Sequence, residues 1–131
     1  MLIFTTASIA GASPQLELPV YSLDLGVISH GEKKSITIPL KNSGDEALDI
    51  KAIRTSCGCL SAKTDRKHIK PDTESTLNIM FNSVSKRPGV HALKIFIRSN
   101  QPDNTLTVIP LTVVVKPNDQ NTIPQNKIDI P

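Results

Sequence analysis

The sequence predicts an all-β protein, an immunoglobulin-like β-sandwich of about seven to eight antiparallel strands. Three observations predict it: apolar and polar residues alternate with period two, turn residues separate the alternating runs, and no comparable stretch shows helical spacing. The runs recur about every 10 to 20 residues, a spacing typical of sandwiches and barrels rather than of alternating strands and helices.

The predicted strands begin with two short apolar runs, continue with four clear alternations, and end with a run rich in β-branched residues on both faces. They are residues 16–20, 23–28, 36–40, 48–52, 77–81, 93–97 and 105–115. Side chains i, i+2 and i+4 of a strand share one face, so each alternation supplies one apolar face. The sets expected to face the core are Ile36, Ile38 and Leu40; Leu48, Ile50 and Ala52; Leu77, Ile79 and Phe81; and Leu93, Ile95 and Ile97.

Turn residues separate these runs at positions 42–45, 70–73 and 100–104, and residues 63–70 read as a charged connector. Pro88-Gly89 fits a type II turn, because proline fixes φ and glycine accepts the positive φ that follows. Pro39 and Pro110 lie inside strand runs and cannot donate to a ladder. We therefore expect their strands to be edges, or to be bulged at those points.

Length and composition limit the classes of function. The chain has 131 residues, enough for one domain with a real core, and 38% apolar with 21% charged residues is typical of globular proteins. Aromatic residues make up 3% of the chain, and the net charge of +3 comes from scattered lysines and arginines. A protein that stacks bases or presents a basic stripe needs more of both, so we expect no nucleic-acid partner.

The N-terminal residues suggest export. The first fourteen residues carry no charge, and Ala10-Gly11-Ala12 has the small-x-small pattern of a signal-peptidase site, although the usual positive n-region is missing. The segment is too short to span a bilayer, which needs about 20 apolar residues. We interpret residues 1–13 as an incomplete signal-like or anchor segment; a frayed terminus or an extra strand is the alternative.

The sandwich then spans residues 16–116, followed by a polar Pro- and Asn-rich tail, 117–131, whose Ile128-Asp129-Ile130 could add a strand to a partner.

The two cysteines, Cys57 and Cys59, are separated by Gly58. In an extended segment both thiols would point to one face with Cα atoms about 6.6 Å apart, at the far edge of disulfide geometry. Gly58 permits a bend that would bring them closer. Two thiolates on one face suit Cu(I), with further donors to come from His30, His68, His91 or Met80, but they do not complete a structural zinc site. The alternative is structural: two small buried residues in a tight turn.

The order and spacing of several motifs resemble a bacterial family of small exported proteins of unknown function with an SCGC signature. The motifs are Leu25-Gly26-Val27-Ile28, Gly31-Glu32, Lys41-Asn42-Ser43-Gly44, Thr55-Ser56-Cys57-Gly58-Cys59 and Pro88-Gly89. That family is similar to the hydin and major-sperm-protein branch of immunoglobulin-like domains, and the resemblance covers about residues 23–115. It implies the fold and export, and it marks ten signature positions: Gly26, Gly31, Asn42, Gly44, Ser56, Cys57, Gly58, Cys59, Pro88 and Gly89.

The sequence departs from the family pattern at Leu25, where an aromatic residue is usual, and at Asp72, where glycine is common. Neither departure touches the cysteines. The family's biochemical role is not established, so the resemblance supplies no mechanism.

No motif in the sequence places catalytic groups on a recognisable scaffold. Ser61, Asp65 and His68 are close in sequence, but proximity along a connector is not a triad. We therefore predict a non-catalytic module of the periplasm or cell envelope that binds another protein, as an accessory subunit of a larger assembly and without a cofactor. Membrane association would come through the N-terminus or a membrane complex. The alternative is a copper-binding or thiol-redox protein that uses Cys57 and Cys59.

Overall fold

Two β-sheets pack face to face in a computed structural model that describes residues 13–118. The segment interpreted as signal-like, up to residue 12, and the tail from residue 119 lie outside the described residues. Within residues 13–118 there are nine strands and one short 3₁₀ turn, Ser83–Ser85. The strands are β1 Leu16–Glu17, β2 Leu23–Ser29, β3 Lys33–Asn42, β4 Leu48–Thr55, β5 Leu60–Thr64, β6 His68–Ile69, β7 Glu74–Asn82, β8 Gly89–Ser99 and β9 Leu106–Lys116.

The first sheet has the order β1-β3-β7-β5, and the second has the order β2-β9-β8-β4-β6. The predicted all-β sandwich is confirmed. Its strands were expected to be antiparallel throughout, whereas β2 and β9 run parallel. Because β1 pairs with β3 and β2 pairs with β9, the chain crosses from one sheet to the other between Glu17 and Leu23.

The core consists of the inward-facing apolar side chains of both sheets, as the alternation predicts. Full burial of one such side chain contributes about 1.5–3 kcal/mol. Phe81 is the largest fully buried residue. Ile36, near the beginning of β3, is only half-buried. The other fully buried apolar residues are Leu40, Leu48, Ile69, Leu77, Ile79, Ile95, Ile97, Ile109, Leu111, Val113 and Val115.

One residue of the predicted core, Ala52, is half-buried on the outer face of the second sheet instead. The register of β4 against β8 shifts between Ile50 and Ala52, so that Lys51 is an extra, bulged residue. A bulge moves all later side chains to the other face. Ala52 consequently pairs with Arg98 on the outer face, and Ile53 takes the inward position and packs against the core.

Two short strands, β5 and β6, were not predicted. β5 pairs with β7, and β6 pairs with β4 through Leu48 and Asp49, so residues 63–70 are not only a connector. β5 carries little apolar alternation, and β6 has only two residues, which explains why periodicity did not indicate them.

Pro39 lies on a flank of β3 that no strand of the described residues covers. Asn42 donates its N–H to Thr73 O, so the backbone groups of every second residue counted from Asn42 point toward β7. Pro39 is one of the alternate residues, whose backbone groups point away from β7. On that side β1 pairs only with Lys41 and Asn42. The missing N–H of Pro39 therefore breaks no bond, and β3 is locally an edge, as expected.

Pro110 lies in β9, which is central in its sheet rather than an edge. It faces Lys94 of β8, whose backbone bonds to Ser56 on the side away from β9. The nitrogen of Pro110 therefore points toward the β2 side, where pairing begins only at Leu111. The absent donor is tolerated because β2 has not yet reached it.

The turn at residues 70–73 forms where its residue types predict it. Thr73 N–H donates to Lys70 O (3.2 Å), and Asp72 inside this turn has φ +60°. Aspartate tolerates this left-handed conformation better than most residues, so the turn survives where the family usually has glycine. Gly89 also has a positive φ, +138°, but it begins β8. The reversal between β7 and β8 is made by the 3₁₀ turn, not by a type II turn at Pro88-Gly89.

Asn42 connects four separate parts of the first half of the fold. Its side chain is completely buried, and each of its polar atoms has partners. The Oδ1 atom accepts hydrogen bonds from the N–H groups of Gln15 (3.2 Å) and Gly44 (3.0 Å). The Nδ2 atom donates to the carbonyl oxygens of Glu46 (2.6 Å) and Ile69 (2.9 Å). The segment before β1, the β3–β4 turn and β6 are thereby fixed to β3.

Within the described residues no helix is long and apolar enough to cross a bilayer.

Asn42→Asp should lower the free energy of unfolding by about 2–4 kcal/mol. The variant keeps the size of the side chain but removes both N–H donors and places a charge beside two carbonyl oxygens. The exposed Asn104→Asp is the matched control and should stay within about 0.5 kcal/mol of the wild type. Urea unfolding at neutral pH measures both variants, and equal stabilities would contradict this role of Asn42.

Candidate functional site

The Cys-Gly-Cys turn, residues 56–59, joins β4 of the second sheet to β5 of the first. Ser56 fixes it to β8, because Ser56 N–H donates to Lys94 O (3.0 Å) and Lys94 N–H donates to Ser56 Oγ (2.9 Å). Thr55 fixes it from the other side, since its hydroxyl lies 2.9 Å from Cys57 O and 2.8 Å from Leu60 O. The turn is thus held by hydrogen bonds to both sheets.

Cys57 and Cys59 are bonded as a disulfide, with Cα atoms 5.2 Å apart. An extended segment would have separated them by about 6.6 Å. The distance is shorter because the chain turns here, with Leu60 N–H donating to Cys57 O (3.2 Å). Cys59 is buried in the core at 9% exposure, and Cys57 is half-buried against the core. The structure therefore brings the two candidate residues together as one bonded pair.

Gly58 does not have the conformational role we expected. Its φ is outside the left-handed region, and a Cβ atom at this exposed position would meet no atom within 4 Å. The bend between the cysteines is consequently open to other residues.

The additional donors for Cu(I) are engaged elsewhere. Nε2 of His30 lies 3.2 Å from Val84 O, and Nε2 of His91 lies 2.7 Å from Arg87 O. Nδ1 of His68 lies 2.6 Å from Oδ1 of Asp49 in β4. Met80 is on the outer face of the first sheet, opposite Ser61. No group of three or more His, Cys, Asp or Glu side chains with metal-binding geometry occurs among residues 13–118.

Ser61, Asp65 and His68 are not assembled as a triad. Asp65 Oδ1 accepts a hydrogen bond from Asn78 Nδ2 (2.9 Å), whereas His68 pairs with Asp49. Asp65 and His68 each have a partner outside the set, so these three residues do not form an activated nucleophile.

The remaining signature positions shape the backbone. Gly26 has φ +77° at a register shift of β2, and Gly31 has φ +93° in the turn before β3. Gly44 lies against the segment before β1, and any Cβ there would overlap Ser13 O and lie 2.7 Å from Gln15 N. These glycines are explained by φ or by close approach.

The outer face of the second sheet carries side chains that sequence reasoning did not single out. Cross-strand pairs place Phe96 between Arg54 and Val108, and Arg98 between Ala52 and Leu106. Leu106 and Val108 are each 41% exposed. The available signal was the run 105–115, which is apolar on both faces although only one face was needed for the core.

A second open feature is the flank of β3 over residues 33–40, which we call the β3 flank. Lys33, Ser35 and Thr37 have the same parity as Pro39, so their backbone N–H and C=O groups point away from β7. Among the described residues no strand pairs with these groups, because β1 covers only the end of β3.

Gly58→Ala should change the free energy of unfolding by less than about 0.5 kcal/mol, because the added methyl meets open space. Gly44→Ala should lower it by about 1–3 kcal/mol, because the segment before β1 must move. Thermal and urea unfolding of the two variants test this contrast. A larger loss at Gly58 than at Gly44 would show that the turn is tighter than described.

Comparison with solved structures supports the fold. A protein of unknown function from Porphyromonas gingivalis W83 is 27% identical, with a TM-score of 0.73, covering 82% of this chain and 50% of that chain. This chain thus spans half of that protein.

Two more distant structures show the fold alone. One is the ASH / PapD-like domain 7 of human CEP192 (9% identity, TM-score 0.61, covering 89% of this chain and 93% of that one). The other is the YadV chaperone (13% identity, TM-score 0.56, covering 78% and 51%).

No curated protein matches the sequence. The family described as "Protein of unknown function (DUF1573)" matches residues 16–115, which is most of the chain. The chain therefore belongs to the DUF1573 family.

Proposed function

We propose that this protein is a non-catalytic protein-binding module of the bacterial cell envelope, working as an accessory subunit of a larger assembly. The observation that carries the proposal is the β3 flank. Its unpaired backbone groups form a template to which an extended segment of another protein can add as a strand. An envelope location is supported by the uncharged N-terminal residues with their Ala-Gly-Ala pattern.

The side chains of the β3 flank favour a foreign strand over a second copy of this chain. Lys33 and Lys34 lie at its start and Pro39 near its end, and lysine and proline on an edge oppose edge-to-edge pairing of identical chains. Between them, Ser35 and Thr37 leave small side chains beside free donors and acceptors. Ile36 is only half-buried, so an added strand would complete its burial.

The fold relatives agree with this function. The YadV protein is a chaperone and shares this sandwich at low identity. The described residues offer a rigid scaffold with open backbone groups and no assembled catalytic set, which is the arrangement expected of a docking module.

Thr37→Pro should abolish capture of the partner without unfolding the protein. Its N–H faces the free flank, so proline removes a donor that no strand of the described sandwich uses, as Pro39 already does two residues later. Thr37→Val keeps the N–H and is the matched control. The measurement is affinity capture from solubilised envelope, with the unfolding temperature of each variant.

A photo-cross-linker at Thr37, compared with one at Asp103 in the β8–β9 loop, gives the second readout. The proposal is supported if a partner is cross-linked from position 37 and the Thr37→Pro variant fails to retain the same partner in affinity capture. No reproducible partner, or equal capture by both variants, would refute it.

A second candidate function is thiol–disulfide exchange at Cys57 and Cys59. The bonded pair with a half-buried Cys57 favours it. In exchange, a thiolate of a substrate protein would attack one sulfur and release the other as a thiolate. A second thiolate of the substrate protein then attacks the substrate sulfur of this mixed disulfide and releases the cysteine of this chain as a thiolate, so that the substrate gains a disulfide and Cys57 and Cys59 are left reduced. The burial of Cys59 limits attack to the Cys57 side.

The double variant Cys57→Ser/Cys59→Ser should fold, with a loss of about 1–2 kcal/mol, because the bridge closes a very short loop and the turn keeps its hydrogen bonds to Thr55 and Ser56. Intact mass of the wild type should rise by two hydrogens after reduction. Loss of partner capture in this variant, together with a mixed disulfide between Cys57 and the partner on non-reducing electrophoresis of the wild type, would favour exchange; capture by the wild type without a mixed disulfide would assign the cysteines a structural role. Cu(I) titration of both proteins tests copper binding, and equal weak uptake would exclude it.

A further inference from the structure

The outer face of the second sheet presents cations and apolar side chains in a regular pattern. Along β8 the residues Lys94, Phe96 and Arg98 point outward, alternating with buried core residues. Lys94 and Arg98 are four residues apart, which is about 13 Å along a strand, with Phe96 midway between them. Arg54 lies opposite Phe96 on β4 and adds a third cation.

These cations have no anionic partner within the described part of the chain. Neither Arg54, Lys94 nor Arg98 forms an ion pair among residues 13–118. Near this face Asp24 accepts from Gly26 N–H and Asp49 pairs with a histidine, while Glu17 lines the adjoining groove and forms no ion pair with the three cations. The face therefore carries more positive than negative charge beside exposed apolar side chains.

A depression of about 180 Å³ lies between Phe96 and Arg98, with Lys94 outside its lining, and we call it the Phe96 depression. It can receive one apolar side chain of a partner, the arrangement in which a buried anchor supplies most of the binding energy. The adjoining groove contains Tyr21, which is 85% exposed and lies beside Leu106 and Val108. Exposed tyrosine and arginine around a pocket are typical of interface centres. The depression is lined by Ala52, Arg54, Phe96, Arg98 and Leu106.

We infer that this face binds an extended acidic protein segment in which two carboxylates four residues apart flank an apolar residue. The apolar side chain enters the Phe96 depression, and the carboxylates reach Lys94 and Arg98, whose spacing matches a strand of that pattern. The inference rests on the proposed protein-binding function and specifies the chemistry of one partner segment. It concerns a sheet face, whereas the β3 flank is an edge of the other sheet.

A protein segment fits this face better than a lipid surface. Membrane-bound surfaces bury apolar side chains about 5–10 Å into the headgroup region. Here the apolar side chains lie in the plane of a sheet, and the surrounding arginine and lysine side chains extend further from the sheet than the apolar ones do. Charge complementarity with a flat, rigid face is the usual arrangement between proteins.

The probe is a fluorescein-labelled decapeptide with the core Glu-Thr-Phe-Thr-Glu, titrated against the full chain by anisotropy and by ¹H–¹⁵N correlation spectra. The expected dissociation constant is below about 1 mM, with shifts confined to β4, β8 and β9. Arg54→Glu/Arg98→Glu should weaken binding at least about tenfold. The matched control Lys63→Glu/Lys70→Glu makes the same change of charge in β5 and in the turn before β7, and it should leave binding within about twofold.

Peptides with lysine in place of glutamate, or serine in place of phenylalanine, should each bind at least about tenfold more weakly. If the charge-reversed variant does not fold, Arg54→Gln/Arg98→Gln replaces it. Absence of shifts at 1 mM peptide, equal binding of the lysine peptide, or equal binding by the arginine variant would overturn the inference. Sedimentation with phosphatidylglycerol vesicles, dependent on these arginines and without peptide binding, would overturn it in favour of a lipid surface. Cross-linking at Thr37 is independent, so a partner captured there without peptide binding would refute this inference and leave the proposed function standing.

Discussion

The first half of the sandwich depends on the buried amide of Asn42. One side chain satisfies two donors and two acceptors from the segment before β1, the β3–β4 turn and β6. An apolar residue of similar size would leave four backbone groups without this partner, and an unpaired group costs about 1–3 kcal/mol where it is buried, as at Ile69 O. Gly44 belongs to the same arrangement, because its lack of a side chain lets the segment before β1 approach the β3–β4 turn. This explains in physical terms why an Asn-Ser-Gly turn follows β3.

The short β1 produced by this arrangement is also what leaves the β3 flank open. Asn42 and Gly44 hold the chain against the last residues of β3 only, and the chain then crosses to the second sheet to pair with β9. Within residues 13–118 no strand pairs with the remaining backbone groups of β3 on that side. The same interaction that fixes the N-terminal strand thus determines the position of the surface that we assign to partner binding.

Much of this fold could be predicted from alternation and turn residues, because the long strands have one apolar and one polar face. The face of Ala52 could not be predicted, since a single bulged residue, Lys51, reverses every later position and has no sequence signature. Pro110 was placed on an edge because proline cannot donate, but a central strand tolerates it where its neighbour has not yet begun. β6 has two residues and depends on pairing with β4, which no local pattern reveals.

The candidate site was predictable in its residues but not in its surroundings. The spacing of Cys57 and Cys59 predicts two thiols on one face of an extended segment, at the far edge of disulfide geometry, and the structure bonds them across a turn. The neighbourhood depends on long-range register: Ser56 meets Lys94, 38 residues later, only because β4 and β8 pair as they do.

That same contact links the turn to the outer face of the second sheet. Ser56 and Lys94 form the last cross-strand contact of β4 with β8, two residues along from the pair of Arg54 with Phe96. The Cys-Gly-Cys turn therefore ends β4 at the position that sets Arg54 beside the Phe96 depression. A covalent bridge just beyond a strand end restricts fraying of that end, which keeps the spacing between Arg54 and Lys94 constant. The cysteines can in this way contribute to partner recognition through the position of the cations, without contacting the partner themselves.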